Sequence, residues 1–253
     1  MTAVHWPRPQ WQDSGEQAFL LWFVFGDFEP GFTIDASRYR TRGTPAGIEV
    51  VRYANRALER WDGYPLAGTL GRLLWDEDAR LFERAKQAGE CVMLRGALDD
   101  PADLDALRDL VGTITALTDL GGVAVIDPQT LSMFDAMEWR RRFFAVDAFN
   151  ARDHVLILCD EDDTAANRLH VHTRGLRKFA RPDVSVRNVP PAAAAIAGEL
   201  AERFVEFECA GGLVADGHAV ELDGAPLGMT VHVAGANDDP AFNNRHLAMR
   251  WPD

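Results

Sequence analysis

Hydrophobic and polar positions alternate along this chain in short blocks, and each block predicts one element. Phe19 to Phe25 is a continuous, aromatic-rich apolar run closed by Gly26-Asp27, the pattern of a strand buried on both faces. Ile48, Val51, Ala54, Leu58 and Trp61 recur at helical spacing, which predicts a helix over 48–61. Leu70, Leu73, Leu74, Leu81, Phe82 and Ala85 predict one further helix over about 70–88, stopped by Gly89. Cys91 to Leu98 follows as a strand. Asp100-Pro101 then opens a helix as N-cap and first turn, with Leu104, Leu107, Val111, Ile114 and Leu117 turned inward. Gly121-Gly122 closes that helix ahead of a strand over 123–126.

The second half repeats the order. His154 to Cys159 is expected as a buried strand and Val184 to Val189 as an alternating one. Pro190-Pro191 opens a helix whose face carries Ile196, Leu200, Phe204 and Phe207, Gly211-Gly212 ends it, and Leu213 to Asp216 is expected to be extended. Two further strands are expected, over 229–234 and 246–251. Pro101 and Pro191 lie 90 residues apart, as do Gly121 and Gly211, so each half reads strand, proline, amphipathic helix, Gly-Gly, strand, Asp. Helix punctuation by proline and glycine is common, but a shared unit would explain the spacing. The expectation is an α/β (α+β) fold with mixed sheets and packed helices, in two related halves, 1–148 and 149–253.

Composition narrows the function classes. The chain has 253 residues, 39 acidic against 26 basic side chains, and a formal net charge of -13. Such a field repels nucleic acid and anionic lipid and favours a basic partner. The cysteines Cys91, Cys159 and Cys209 are scattered within or at the ends of apolar runs, without a CxxC pair, as expected of small buried hydrophobes in a reducing compartment. No apolar h-region follows the N-terminus and no apolar run is long enough for a bilayer, so a cytoplasmic location is expected. P-loop, GxGxxG, GxSxG and HExxH signatures are missing, and no cofactor or metal is implied.

Three segments could carry chemistry. His170, His172, Arg174, Arg177, Lys178 and Arg181 form a basic stretch in an otherwise acidic chain. Convergent arginines there could hold a phosphate or carboxylate, and two histidines alternating on an extended segment could share a metal. A solvated basic turn is the plainer reading, and the aspartate and further histidine that usually follow an HxH pair in metallo-hydrolases are missing. The second segment, Val155 to Thr164, is an apolar strand ending in Asp160-x-Asp162-x-Thr164. It resembles the first motif of haloacid-dehalogenase-type phosphotransferases, which would make Asp160 a nucleophile and Asp162 an acid/base beside Mg²⁺. That family's later serine or threonine and lysine are not found downstream, and an acidic turn is a sufficient account. The third, Gly235 to Asn244, reads as a polar turn. Among the aromatics, Trp22 is expected in the core and Trp75 partly exposed, able to anchor a partner.

Gly121 to Gln129, His172 to Asp183 and Asp238 to Asn244 together resemble a group of uncharacterised bacterial proteins sharing a domain of unknown function. Proteins of this kind are similar to immunity or accessory proteins encoded beside secreted toxins. The resemblance implies no activity and no catalytic residues. The leading expectation is a non-enzymatic cytoplasmic binding protein that neutralises a toxin or effector. The alternative is an enzyme or sensor acting on a phosphorylated small molecule, with Mg²⁺ recruited by Asp160 and Asp162.

Overall fold

The computed structural model describes residues 5–29, 33–54, 56–239 and 242–252. Two compact units emerge, and the chain weaves between them: residues 1–7, 19–98 and 103–149 form the first, and 8–18, 99–102 and 150–253 the second. Each unit is built on its own five-stranded sheet, so the expected α+β class holds.

In the first unit the strands are β1 (Gln17–Gly26), β2 (Ile48–Ala54), β3 (Glu90–Asp99), β4 (Gly122–Asp127) and β5 (Ser132–Phe134), in the order β2-β3-β1-β4-β5. The aromatic run of β1 takes a central place, as its two-sided apolar character requires. Phe23 and Phe25 pack with Leu74, Leu81 and Phe82 from two helices, α2 (Gly68–Glu77) and α3 (Ala79–Gln87). A third long helix, α4 (Asp105–Asp119), also packs on β4, and all five of its predicted inward residues are buried.

Local chemistry accounts for three departures from expectation. Ile48–Ala54 is a strand, not a helix, paired residue for residue with β3; its β-branched and aromatic side chains suit a half-buried edge, and only a four-residue helix, α1 (Arg56–Glu59), follows. The single helix expected over 70–88 is broken at Asp78, whose carboxylate accepts the N–H of Leu81 as the N-cap of α3. Asp100 does not cap α4, which starts five residues later with Asp103 Oδ1 accepting the N–H of Asp105.

Gly121, at φ +116°, ends α4 where a β-carbon would stand 2.2 Å from the carbonyl oxygen of Asp27. Inside α4, Gly112 lies against residue 39: an added β-carbon would sit 2.2 Å from the Tyr39 carbonyl oxygen. Gly112→Ala is therefore expected to destabilise despite alanine's better helix propensity, by about 1–3 kcal/mol of overpacking. A denaturant midpoint equal to or above the parent's would show that residues 39–41 yield freely.

After β5 come α5 (Ala136–Trp139) and a π-helical turn (Arg140–Phe144). Trp139 is buried and donates to Thr115 Oγ1 at 3.0 Å, while Arg140 pairs with Asp119 at 2.7 Å. Trp22 is buried and Trp75 is half exposed, as expected.

The second unit holds α6 (Ala151–His154), β6 (Leu156–Glu161), β7 (Leu169–Arg174), β8 (Asp183–Val189), α7 (Ala194–Cys209), β9 (His232–Ala234) and β10 (His246–Arg250). Its sheet order is β6-β7-β8-β10-β9, with β8 and β10 parallel and the remaining pairs antiparallel. β6 is the outer strand, so Leu156 to Leu158 are half-buried and Cys159 is exposed, against the expectation of a buried strand and a buried cysteine. Residues 213–216 form no strand, so the strand–helix–Gly-Gly order occurs in both units but its closing strand only in the first. α7 turns Ala197, Leu200, Ala201, Val205, Glu208 and Cys209 inward; Ile196 and Phe204 are half-buried and Phe207 is exposed. No helix among the described residues is long and apolar enough to cross a membrane.

Candidate functional site

Strand alternation builds the candidate site on one face of the second sheet. His170 and His172 of β7 share that face with Asp160 across the β6 ladder, Ser185 across the β8 ladder, and His246 on β10. The two imidazoles of β7 stack, with centroids 4.4 Å apart and planes 13° apart. Phe242 sets its edge against both and stacks on His246 at 4.4 Å. His170 Nε2 meets Ser185 Oγ at 2.9 Å, and His172 Nε2 meets Asp160 Oδ2 at 3.0 Å. The Nδ1 atoms of His172 and His246 are buried without a hydrogen-bond partner.

Burial, then the neighbouring His172 and Arg187, pushes His170 down to about 4, so it is neutral at pH 7. His246 is lowered too, chiefly by burial. With its Nε2 on Ser185, His170 acts as a packed core imidazole, and the HxH pair supplies no set of three metal-ligating side chains among the described residues.

The rest of the basic stretch does not converge on this face. Lys178 is buried and donates from Nζ to the carbonyl of His154 at 2.8 Å. Arg181 makes five hydrogen bonds, to Asp100 and to the carbonyls of Gln12, Ala180, Gly211 and Gly212. Arg177 donates to the carbonyl of Asn243 at 2.8 Å, and the Arg174 charge acts on the buried Asp183. A short 3-10 turn, Leu176–Phe179, between left-handed Gly175 and Ala180 turns these side chains in different directions. The expectation of a solvated basic turn therefore fails for Lys178 and Arg181, which are interior struts.

The two aspartates of the acidic motif also part company. Asp160 is 63% exposed at the outer strand. Asp162 is buried, accepting from the N–H and hydroxyl of Thr164, from Arg187 and from the N–H of Asn188. Burial alone would raise its pKa, but these bonds hold the carboxyl well below the usual carboxylate range. A carboxylate so fully engaged serves a turn, and an acid/base role would need it to be accessible. Asp239 turns as expected, its carbonyl accepting the N–H of Asn243, while Pro240 and Ala241 of the same segment lie outside the described residues.

Sequence reasoning missed two features of this unit. Asp100 lies between Arg8 and Arg181 at 2.6 Å from each, all three side chains fully buried. Glu208 projects from the inward face of α7, three residues after the buried Val205. Its line-up with Ala197, Ala201 and Val205 was the available signal, since a carboxyl on an apolar stripe is rare. In the first unit, His5, Asp103 and Asp105 place ligand atoms within 4.8 Å of one another. Their hydrogen bonds already serve the start of α4, where Asp105 Oδ1 accepts from the N–H of Trp6 and contacts His5.

No protein family, curated protein or solved structure was found to match this chain. The functional reading therefore stands on its own residues.

Proposed function

We propose that this chain is a non-enzymatic binding protein of the immunity type, acting in the cytoplasm, which neutralises a basic toxin or effector by holding it along β6. The carrying observation is the position of that strand. It ends the second sheet, and among the described residues no strand pairs with its outer edge. Asp160 and Asp163 at its far end are 63% and 80% exposed, and Glu161 is exposed beside them. An open edge offers main-chain hydrogen bonds to an added strand, and its acids would steer a basic partner into place. Unpartnered edges are commonly guarded by charge, which keeps such a strand selective. The net charge of -13 extends the same field over longer range.

The alternative, chemistry on a phosphorylated small molecule, finds fewer parts. It needed His170, His172, Arg174, Arg177 and Arg181 at a shared site with Asp160 and Asp162, and of these His170, Arg181 and Asp162 are engaged in interior hydrogen bonds.

The test is capture of partners from source-cell lysate by the tagged full chain and by an Asp160→Lys, Glu161→Lys, Asp163→Lys variant. The parent is expected to retain one basic protein stoichiometrically, and the variant to lose it by more than about tenfold at low salt. Retention unchanged by the charge reversal, or no stoichiometric partner for the parent, would overturn the reading.

A further inference from the structure

We propose that the second unit carries a docking groove for a basic amphipathic helix of a protein partner, between α7 and residues 213–227. The inference does not rest on the reading of β6, which uses other residues. All the residues that line the groove belong to this unit.

The groove follows from the pattern of α7. Leu200, Phe204 and Phe207 recur at helical spacing and form a stripe beside the inward residues Ala197, Ala201 and Val205. That position leaves Phe204 half-buried and Phe207 36% exposed. The stripe lines a cavity of about 290 Å³ together with Leu213, Val214, Val220 and Leu222. A second cavity, of about 400 Å³, shares Arg203, Val220, Glu221 and Leu222 with the first and carries the groove on to Leu227, which is 97% exposed. Both banks are held in place. The ring of Phe207 rests on Gly212, where an added β-carbon would stand 2.3 Å from it. Opposite, Ala219 bridges Thr230, and the N–H of Val220 donates to the carbonyl of Met229 at 2.9 Å. Apolar side chains exposed along one groove mark an interaction site, as scattered ones do not. An elongated groove beside a helix suits a second helix, whose anchors at i, i+3, i+4 and i+7 span about 10 Å.

The charge of the rim selects the occupant. Arg203 is spent on Glu199, at 2.7 Å. Glu221 and Asp223 line the groove, and Glu206 is exposed next to Phe207 in the chain; no basic side chain among the described residues pairs with these three. A second copy of this chain would bring its own net charge of -13 against that rim, and an anionic peptide or lipid surface would meet the same field. A helix with leucine-like anchors on one face and lysines or arginines flanking them satisfies wall and rim together.

The test is fluorescence anisotropy of the full chain with three labelled peptides of about 16 residues, at about 0.15 M salt, where distant charges are screened. They are an amphipathic Leu/Lys helix, a Leu/Glu helix of the same pattern, and a scramble of the Leu/Lys sequence that has no apolar face. The Leu/Lys helix is expected to bind with a Kd below about 100 μM, and the other two at least about tenfold more weakly. Glu221→Lys with Asp223→Lys is expected to weaken the Leu/Lys helix about tenfold, and so is Phe207→Ser with Leu222→Ser. Leu227→Ser changes a fully exposed side chain, so it reports on the groove even where the Phe207 variant fails to fold, and a loss of about threefold is expected. The Asp160→Lys, Glu161→Lys, Asp163→Lys variant is expected to bind the peptide within about twofold of the parent, which separates the groove from β6. No binding of the Leu/Lys helix, or equal binding of the Leu/Glu helix, would overturn the proposal. Undiminished binding in every groove variant, or loss in the β6 variant, would place the peptide elsewhere and overturn it equally. A dimer in sedimentation that Leu227→Ser dissociates would give the groove to a second copy of the chain instead.

Discussion

Asp100→Ala is expected to destabilise the protein by about 3–5 kcal/mol, the cost of stranding buried charge by removing one partner. The parent carboxylate meets Arg8 Nη1 and Arg181 Nη1 at 2.6 Å each and the N–H of Ser14 at 3.0 Å. All three charged side chains are fully buried, so alanine would leave two guanidiniums facing each other without their anion. Against a typical total stability of about 5–15 kcal/mol, that loss removes much of the margin. Equilibrium unfolding in urea measures it, and a loss under about 1 kcal/mol would show that water or rearrangement compensates the pair.

The same network explains why an apolar replacement of the whole triad should not rescue the fold. Buried ion pairs can often be exchanged for hydrophobic residues without penalty. Here the arginines do more than pair. Arg8 also donates to the carbonyls of Pro101, Phe179, Glu208 and Cys209, and Arg181 to those of Gln12, Ala180, Gly211 and Gly212. These carbonyls sit on the 8–18 segment, at Pro101, at and just past the end of α7, and on the turn before β8. Methionines in place of both arginines would strip these carbonyls of their guanidinium donors; those of Glu208 and Gly211 keep the N–H of Gly211 and of Gln12, and each of the others left buried without a donor adds to the cost. The triad therefore pins irregular chain to regular chain, a task that hydrogen-bond donors perform and hydrophobic contact does not.

This division explains what could be read from the sequence and what could not. Runs that are apolar on one or two faces were legible: β1, α4, β8 and α7 arise where Phe19–Phe25, Leu104–Leu117, Val184–Val189 and the segment after Pro190-Pro191 predict them. Ile48–Ala54 was not, because Ile48, Val51 and Ala54 fit a helical period while the identity of Val50, Val51 and Tyr53 favours an edge strand; pairing with β3 decided it. The candidate site was legible only in part. His170, His172 and Asp160 do meet, because β6 and β7 form a hairpin whose register aligns them. Arg8, Asp100 and Arg181 come together over separations of 92 and 81 residues, and no local pattern announces such a meeting. Phe242 and His246, too, reach the His pair only through the parallel pairing of β10 with β8.

Across pH 4 to 6.5 two buried groups are expected to pull stability in opposite directions, and single substitutions should unmask each. His170 lies among Ser185, His172, Phe242, Arg187, Asp160 and Asp162, and burial lowers it from 6.5 to about 4. Below pH 6.5 the unfolded chain takes the proton first, so this group costs stability as pH falls, about 3 kcal/mol in all by pH 4. Asp183 is raised by burial from 3.8 to about 6, despite hydrogen bonds from Thr173, Asn244 and the N–H of Leu176. Above pH 3.8 the unfolded chain releases that proton first, so stability falls as pH rises, again by about 3 kcal/mol by pH 6. Glu208, also raised, adds to the Asp183 slope, and His246, also lowered, adds to that of His170. His170→Gln should therefore lose stability relative to the parent as pH rises from 4 to 6.5, and Asp183→Asn should gain it. Urea midpoints at pH 4.5, 5.5 and 6.5 decide the matter, because any offset from repacking is independent of pH and only the slopes count. Parallel profiles for the parent and both variants would mean that neither group titrates between the folded and unfolded chain in this window, and the buried imidazole and carboxyl would then have to be in contact with water.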